Sequence, residues 1–277
     1  MPKAPFRVVT DSTADLPDEW RARYGIEVVP LKTLFGEESF RDGVDLSGDQ
    51  FFERLKTVTR LPTTSAPSPG EFSQVYRRLA DECDAVVSIH IGSNLSATCE
   101  AARIGAQAVE GLRVEVVDSR SVTMCVAFLC KVAAESESME AALAAVNERI
   151  PRLRILALLD TLRYIEMGGR ISKLQYLLGS MLDMKAIMRV ADGEITPAGR
   201  TRTRSKGIVE LLALFEQDLP VESVAVIHGA ASADAEKLRE RLPEDLRGPQ
   251  TLLRQTGTVL GTHAGPGALG FAYVTKG

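Results

Sequence analysis

Short apolar runs alternate with amphipathic stretches along most of the chain. Arg7-Val-Val-Thr reads as a strand. Asp15-Leu-Pro-Asp-Glu-Trp then opens a helix, with Pro17 near its first turn and Gly25 as its stop. Residues 26–34 predict a second strand. Ser47-Gly-Asp-Gln and Ser68-Pro-Gly-Glu each place an acceptor three residues after a hydroxyl, the signature of a capping box, and predict helices near 48–58 and 69–82. Ala85-Val-Val-Ser-Ile-His-Ile is a near-continuous apolar run, as in a strand covered on both faces. A helix over about 95–109, a strand at 114–118 and helices near 121–135 and 138–149 follow. This alternation predicts an α/β fold with a mostly parallel sheet flanked by helices.

Pro151-Arg-Leu-Arg marks a junction, so two α/β domains are expected, 1–151 and 152–277. The second half opens with the strand Ile155-Leu-Ala-Leu-Leu. Asp192-Gly, between apolar stretches, signals a hairpin. A helix near 203–217, a strand at 223–228, a helix at 232–242 and strands near 250–256 and 270–275 complete the series.

Composition narrows the classes of function. The 277 residues are 45% hydrophobic and only 5% aromatic, so the core is built mainly from aliphatic side chains. A net charge of −4 argues against nonspecific nucleic-acid binding. Residues 163–206 depart from this balance, with nine Lys or Arg against four acids. Such a stretch is either a solvated face or a docking patch for an acidic partner or phosphate. The N-terminal residues lack the apolar core of a signal peptide, and no run approaches the ~18 apolar residues of a membrane span. None of the four cysteines forms a C-x-x-C pair and no His pair has metal spacing, so no metal and a reducing cytoplasm are expected. Cys125 and Cys130 fall in an apolar helical stretch and are expected to be buried thiols.

Candidate chemistry lies in loops rich in Ser, Thr and Gly. In Ser93-Asn-Leu-Ser-Ala-Thr, three hydroxyls (Ser93, Ser96, Thr98) crowd a helix start where capping needs one, which points to a ligand contact. Ser68 and Glu71 account for themselves as a cap, leaving Thr64 and Ser65 on an extended segment. Gly168-Gly reads as a left-handed helix stop that frees Arg170 for an anion or a partner; a plain surface Arg is the alternative. A further helix is expected after Gly168-Gly-Arg-Ile-Ser. Gly265-Pro-Gly-Ala-Leu-Gly matches G-x-G-x-x-G, but too little chain follows for a dinucleotide-binding βαβ unit, so it reads as a turn. His263 beside it is either structural or a head-group donor. There is no G-x-S-x-G elbow and no Walker A motif, and Ser, His and Asp fall in no recognisable catalytic order.

Taken in order, these segments resemble the DegV family of bacterial fatty-acid-binding proteins. The matching stretches are Val9-Thr-Asp-Ser-Thr-Ala-Asp-Leu-Pro, Thr64-Ser-Ala-Pro-Ser-Pro-Gly-Glu-Phe, Ser93-Asn-Leu-Ser-Ala-Thr and Val117-Asp-Ser. Asp160-Thr-Leu-Arg-Tyr-Ile-Glu-Met-Gly-Gly-Arg-Ile-Ser, Leu178-Gly-Ser-Met-Leu-Asp-Met-Lys, Arg202-Thr-Arg and His263-Ala-Gly-Pro-Gly-Ala-Leu-Gly continue the series. The resemblance implies a two-domain DegV-like fold with a long-chain fatty acid at or near the domain junction. It implies Thr64 and Ser93 as the main partners of the carboxylate, Ser65 and Ser96 beside them, and His263 and Arg170 as neighbours. It further implies a non-catalytic carrier subunit of fatty acid kinase, without a cofactor other than its bound lipid. A separate ATP-binding subunit would convert the acid to an acyl phosphate for phospholipid synthesis. Arg202 and Arg204 would dock that kinase, and contact with a membrane surface would be transient. The chain departs from the family pattern at Ala66, Ala97, Ala186 and Met124-Cys-Val, which bears on acyl preference. A serine-dependent hydrolase of acyl esters, using Ser93 and His263, is the alternative.

Overall fold

In the computed structural model, which describes residues 3–170, 184–248 and 250–277, the chain builds three sheets. The helix expected after Gly168-Gly-Arg-Ile-Ser, together with Lys173 and most of the Leu178–Lys185 motif, lies outside the described residues. Strands β1 (Arg7–Asp11), β2 (Glu27–Val29), β6 (Ala85–His90) and β7 (Arg113–Asp118) form a fully parallel sheet in the order β2-β1-β6-β7. Every residue of β6 is buried, as its unbroken apolar run requires. A second sheet joins β8 (Leu153–Leu159), β9 (Lys185–Ala191), β10 (Glu194–Thr201), β11 (Val221–His228), β12 (Leu252–Gln255) and β13 (Leu269–Thr275) in the order β10-β9-β8-β13-β11-β12. It is antiparallel except for the β11–β12 pair.

The third sheet departs from the sequence pattern. Residues 26–34, expected as one strand, divide at Pro30. β2 pairs with β1, whereas β3 (Lys32–Phe35) pairs antiparallel with β4 (Glu38–Arg41) and β5 (Thr63–Ser65). Proline has no N–H to continue a ladder, and the chain changes sheet there.

Of the helices, α1 (Asp18–Tyr24) stops at Gly25, which takes the left-handed conformation. Both capping boxes form, at the N-termini of α2 (Gly48–Leu55) and α3 (Pro69–Ala80). The Asp192-Gly193 turn has both residues at positive φ (50° and 77°), the geometry that matches the twist of a two-residue hairpin, here β9–β10. α4 (Thr98–Gln107) and α6 (Met139–Arg149) lie close to their expected spans, as do α8 (Arg204–Glu216) and α9 (Ser232–Glu240).

Helix α5 (Met124–Ala134) explains how the two large sheets are joined. Met124 to Cys130 are all buried, so over its first two turns no side of the helix is left for water. It packs against β1 and β6 on one side and against β8, β11 and β13 on the other. The largest core cluster accordingly mixes Val87 and Ile89 of the parallel sheet with Ile155, Val190, Ala225 and Ile227 of the second. Burial pushes the thiols of Cys125 and Cys130 up to about 12, so both stay protonated and act as small apolar groups.

Candidate ligand site

A cavity opens beside this core, with about 1090 Å³ of empty space counted out into the solvent at its mouth. Its walls are mostly aliphatic. Ile155, Ala157 and Leu159 come from β8, Met188 and Val190 from β9, and Ile227 from β11. Helix α10 (Thr258–Ala264) lays Val259, Leu260, His263 and Ala264 along one side, the single face that helical spacing produces.

Polar groups gather where α10 ends. Thr64 occupies the middle of β5, so its neighbours Thr63 and Ser65 point outward to solvent while Thr64 turns to the cavity. Its Oγ1 lies 3.0 Å from His263 Nε2. Ser96 and Leu95 line the same cavity from the loop before α4, and Ser96 Oγ is 2.8 Å from Thr98 Oγ1. Arg170 lies across this end, donating from Nη1 to the Gly168 carbonyl (2.7 Å) and from Nε to the Leu95 carbonyl (3.3 Å). Burial, and secondarily the Arg170 charge, pull the His263 pKa down to about 4, so the ring is neutral near pH 7. Arg170 is thus the lone formal charge among the described lining residues.

The structure therefore brings together Thr64, Ser96, His263 and Arg170, and leaves out two expected residues. Ser93 is exposed and its hydroxyl donates to Asp118, whose other oxygen accepts from the Ser93 N–H (3.1 Å). Ser65 points outward and donates to the Ala66 carbonyl (3.1 Å). The loop before α4 is a turn rather than a serine cap: Ala97 is the N-cap, and Leu95 and Ser96 donate their N–H groups to the Gly92 carbonyl. That turn carries Ser96 inward and Ser93 outward. His228, absent from the sequence-derived set, also lines the cavity; its Nδ1 accepts from the Ala231 N–H (3.3 Å), and burial lowers its pKa.

Two buried acids hold α10 in place. Asp15 accepts from the Gly257 N–H (2.7 Å) and from Thr123 Oγ1 (2.6 Å), and Asp42 accepts from the Thr258 N–H (2.7 Å). Desolvation raises both carboxyls, that of Asp15 to about 7. These contacts explain a helix that sequence reading missed: with two glycines and three β-branched residues in 257–262 its intrinsic propensity is poor, and tertiary contacts supply what propensity lacks.

A Ser–His–Asp chain does exist, contrary to the sequence reading, but it lies inside the parallel sheet. Asp11 Oδ2 is 3.0 Å from His90 Nδ1, and His90 Nε2 is 2.7 Å from Ser88 Oγ. Ser88 in turn meets the Tyr76 hydroxyl at 2.8 Å, and Asp11, Ser88, His90 and Tyr76 are all fully buried. No substrate reaches that serine. The chain orients Asp11, which accepts from the N–H groups of Thr13 and Ile91, and Thr13 and Ile91 are cavity-lining residues. Ser93 and His263, the pair a hydrolase would need, are each engaged elsewhere. The site is thus that of a ligand-holding α/β protein: an aliphatic chamber closed at one end by hydroxyls, a neutral imidazole and one guanidinium.

Comparison with known proteins gives the family. The family model described as "Uncharacterised protein, DegV family" matches residues 5–276, and the chain belongs to this family. It is 34% identical to Protein DegV of Bacillus subtilis over 278 residues, covering 97% of this chain and 99% of that protein. Among solved structures, a DegV family protein from Thermus thermophilus, described by its fatty acid binding, superposes with a TM-score of 0.89 at 32% identity, covering 99% of this chain and 100% of the other. DegV of Bacillus subtilis, described as a fatty acid binding protein, gives 0.87 at 33% identity with 98% and 99% covered. A stearic acid-binding protein from Eubacterium ventriosum gives 0.89 at 26% identity, with 98% of each chain covered.

Proposed function

We propose that this protein binds a long-chain fatty acid, with the acyl chain in the aliphatic cavity and the carboxylate at Thr64, Ser96, His263 and Arg170. The observation that carries this reading is the lining of the cavity: mostly aliphatic walls, with Arg170, the one cation among the described lining residues, beside Ser96 and the Thr64–His263 pair where α10 ends, while Thr13, Thr123, His228 and Thr256 also line it. Each buried methylene contributes about 0.8 kcal/mol gross, so a sixteen-carbon chain offers roughly ten kcal/mol before ordering costs. The polar end adds less but sets which way the lipid lies.

The family resemblance extends the proposal to delivery. The bound acid is presented to an ATP-dependent fatty acid kinase subunit, which phosphorylates the carboxylate to an acyl phosphate for phospholipid synthesis. Arg202 is exposed and suits an electrostatic contact with such a partner. Arg204 does not: it donates to Asp234 (2.7 Å), Asp160 (2.9 Å) and the Gly267 carbonyl (2.6 Å), and so braces its own fold. The cytoplasm is the proposed location; among the described residues no helix is long and apolar enough to cross a membrane. Organic extraction of the purified protein followed by mass spectrometry tests the binding reading. Near-stoichiometric fatty acid is expected, and an extract free of it, with no uptake of added palmitate, overturns the assignment.

A further inference from the structure

Gly168 terminates α7 (Arg163–Met167) with φ −73°, a conformation open to any residue, so its lack of a side chain is not explained by its backbone. The explanation is His263. A Cβ at position 168 would stand 2.1 Å from His263 Nδ1 and 2.7 Å from Cε1. The imidazole therefore sets its Nδ1–Cε1 edge against the glycine, and its Nδ1 is buried without a hydrogen-bond partner among the described residues. The polar groups of Gly168 are engaged elsewhere: its N–H donates to the Tyr164 carbonyl (3.0 Å), and its carbonyl accepts from Arg170.

We propose that Gly168 is a positioning residue for the head-group site: its bare Cα holds His263 as the neutral tautomer with the proton on Nε2. A buried N–H facing only a methylene is a costly orphan, whereas an acceptor lone pair in the same place is tolerated. With the proton on Nε2, the ring donates to Thr64 Oγ1 across their 3.0 Å contact. The Thr64 hydroxyl proton is then free for a carboxylate oxygen. The opposite tautomer would consume that proton and turn an oxygen lone pair toward the anion. The inference rests on the fatty-acid reading of the cavity only for the identity of the anion.

Nitrogen NMR of the imidazole in 15N-labelled protein, with and without palmitate, decides the tautomer. His263 is expected to show a pyrrole-type Nε2 and a pyridine-type Nδ1 in both forms; a protonated Nδ1 overturns the inference. Gly168→Ala is expected to move the ring resonances and weaken palmitate binding about tenfold, the worth of one hydrogen bond to a charged group. Native affinity with unmoved resonances would contradict the assignment. His263→Gln, which keeps an N–H at reach, is expected to stay within about threefold of native affinity, and the shorter His263→Asn to lose about tenfold. Equal losses in these two variants would also count against it. If the native protein takes up no palmitate, the ligand reading fails, while the tautomer measurement still decides the role of Gly168.

Discussion

Thr64 shows how little sequence is needed to place one functional atom. A three-residue strand alternates outward, inward, outward, and the inward hydroxyl meets an imidazole from 199 positions further along. Thr64→Val keeps the shape and removes the hydroxyl, so palmitate affinity should fall about tenfold or more with thermal stability little changed. Titration of delipidated protein checks this, and unchanged affinity would remove Thr64 from the site. Asp15 makes a different prediction. Its carboxyl is raised from 3.8 to about 7 by burial, so between those pH values the folded protein holds a proton that the unfolded chain has released. The stability it contributes is therefore present at low pH and is lost as pH rises through that window. Thermal unfolding from about pH 4 to pH 8 should show this decline in the native protein and a shallower one in Asp15→Asn. Identical slopes would mean that Asp15 does not titrate there.

At the level of elements, what the sequence disclosed was whatever local rules govern. Ser47 and Ser68 announce their helices because a capping box is written within four residues. Asp192-Gly193 announces its hairpin because few dipeptides accept two positive φ angles. Elements held by distant contacts stayed hidden. The small β3–β4–β5 sheet and α10 were missed, yet they carry Thr64 and His263. The loop before α4 advertised three hydroxyls but not which of them turn inward, because that depends on Gly92 and Asp118. Gly257 ties α10 to its two acids: a Cβ there would meet Asp42 Oδ1 at 2.8 Å, Asp42 Oδ2 at 3.0 Å and Asp15 Oδ1 at 3.3 Å. Gly257→Ala is accordingly expected to destabilise the protein by about 1–3 kcal/mol and to speed amide exchange in α10. Native exchange rates in that helix would show that the clamp is dispensable.

On the scale of the whole molecule, α5 fills the space between the two large sheets with side chains, and the cavity opens between the second sheet and the loops that follow the C-terminal ends of the parallel strands, at Thr13, Leu31, Ile91 and Val122. That arrangement places the polar end of the cavity among loops of several elements rather than on one. Arg202, the proposed kinase contact, is not among the described residues that line it, so Arg202→Ala should leave palmitate binding intact and lower acyl-phosphate formation by the kinase, more so at low salt. Equal turnover across a salt series would exclude Arg202 from docking. The most direct test of the account is a crystal structure of the palmitate-loaded protein. The carboxylate should lie within hydrogen-bond distance, roughly 2.5–3.2 Å, of Thr64 Oγ1 and Ser96 Oγ, with the chain running along α10. A carboxylate bound at Ser93, or a lipid lying outside this chamber, would contradict it.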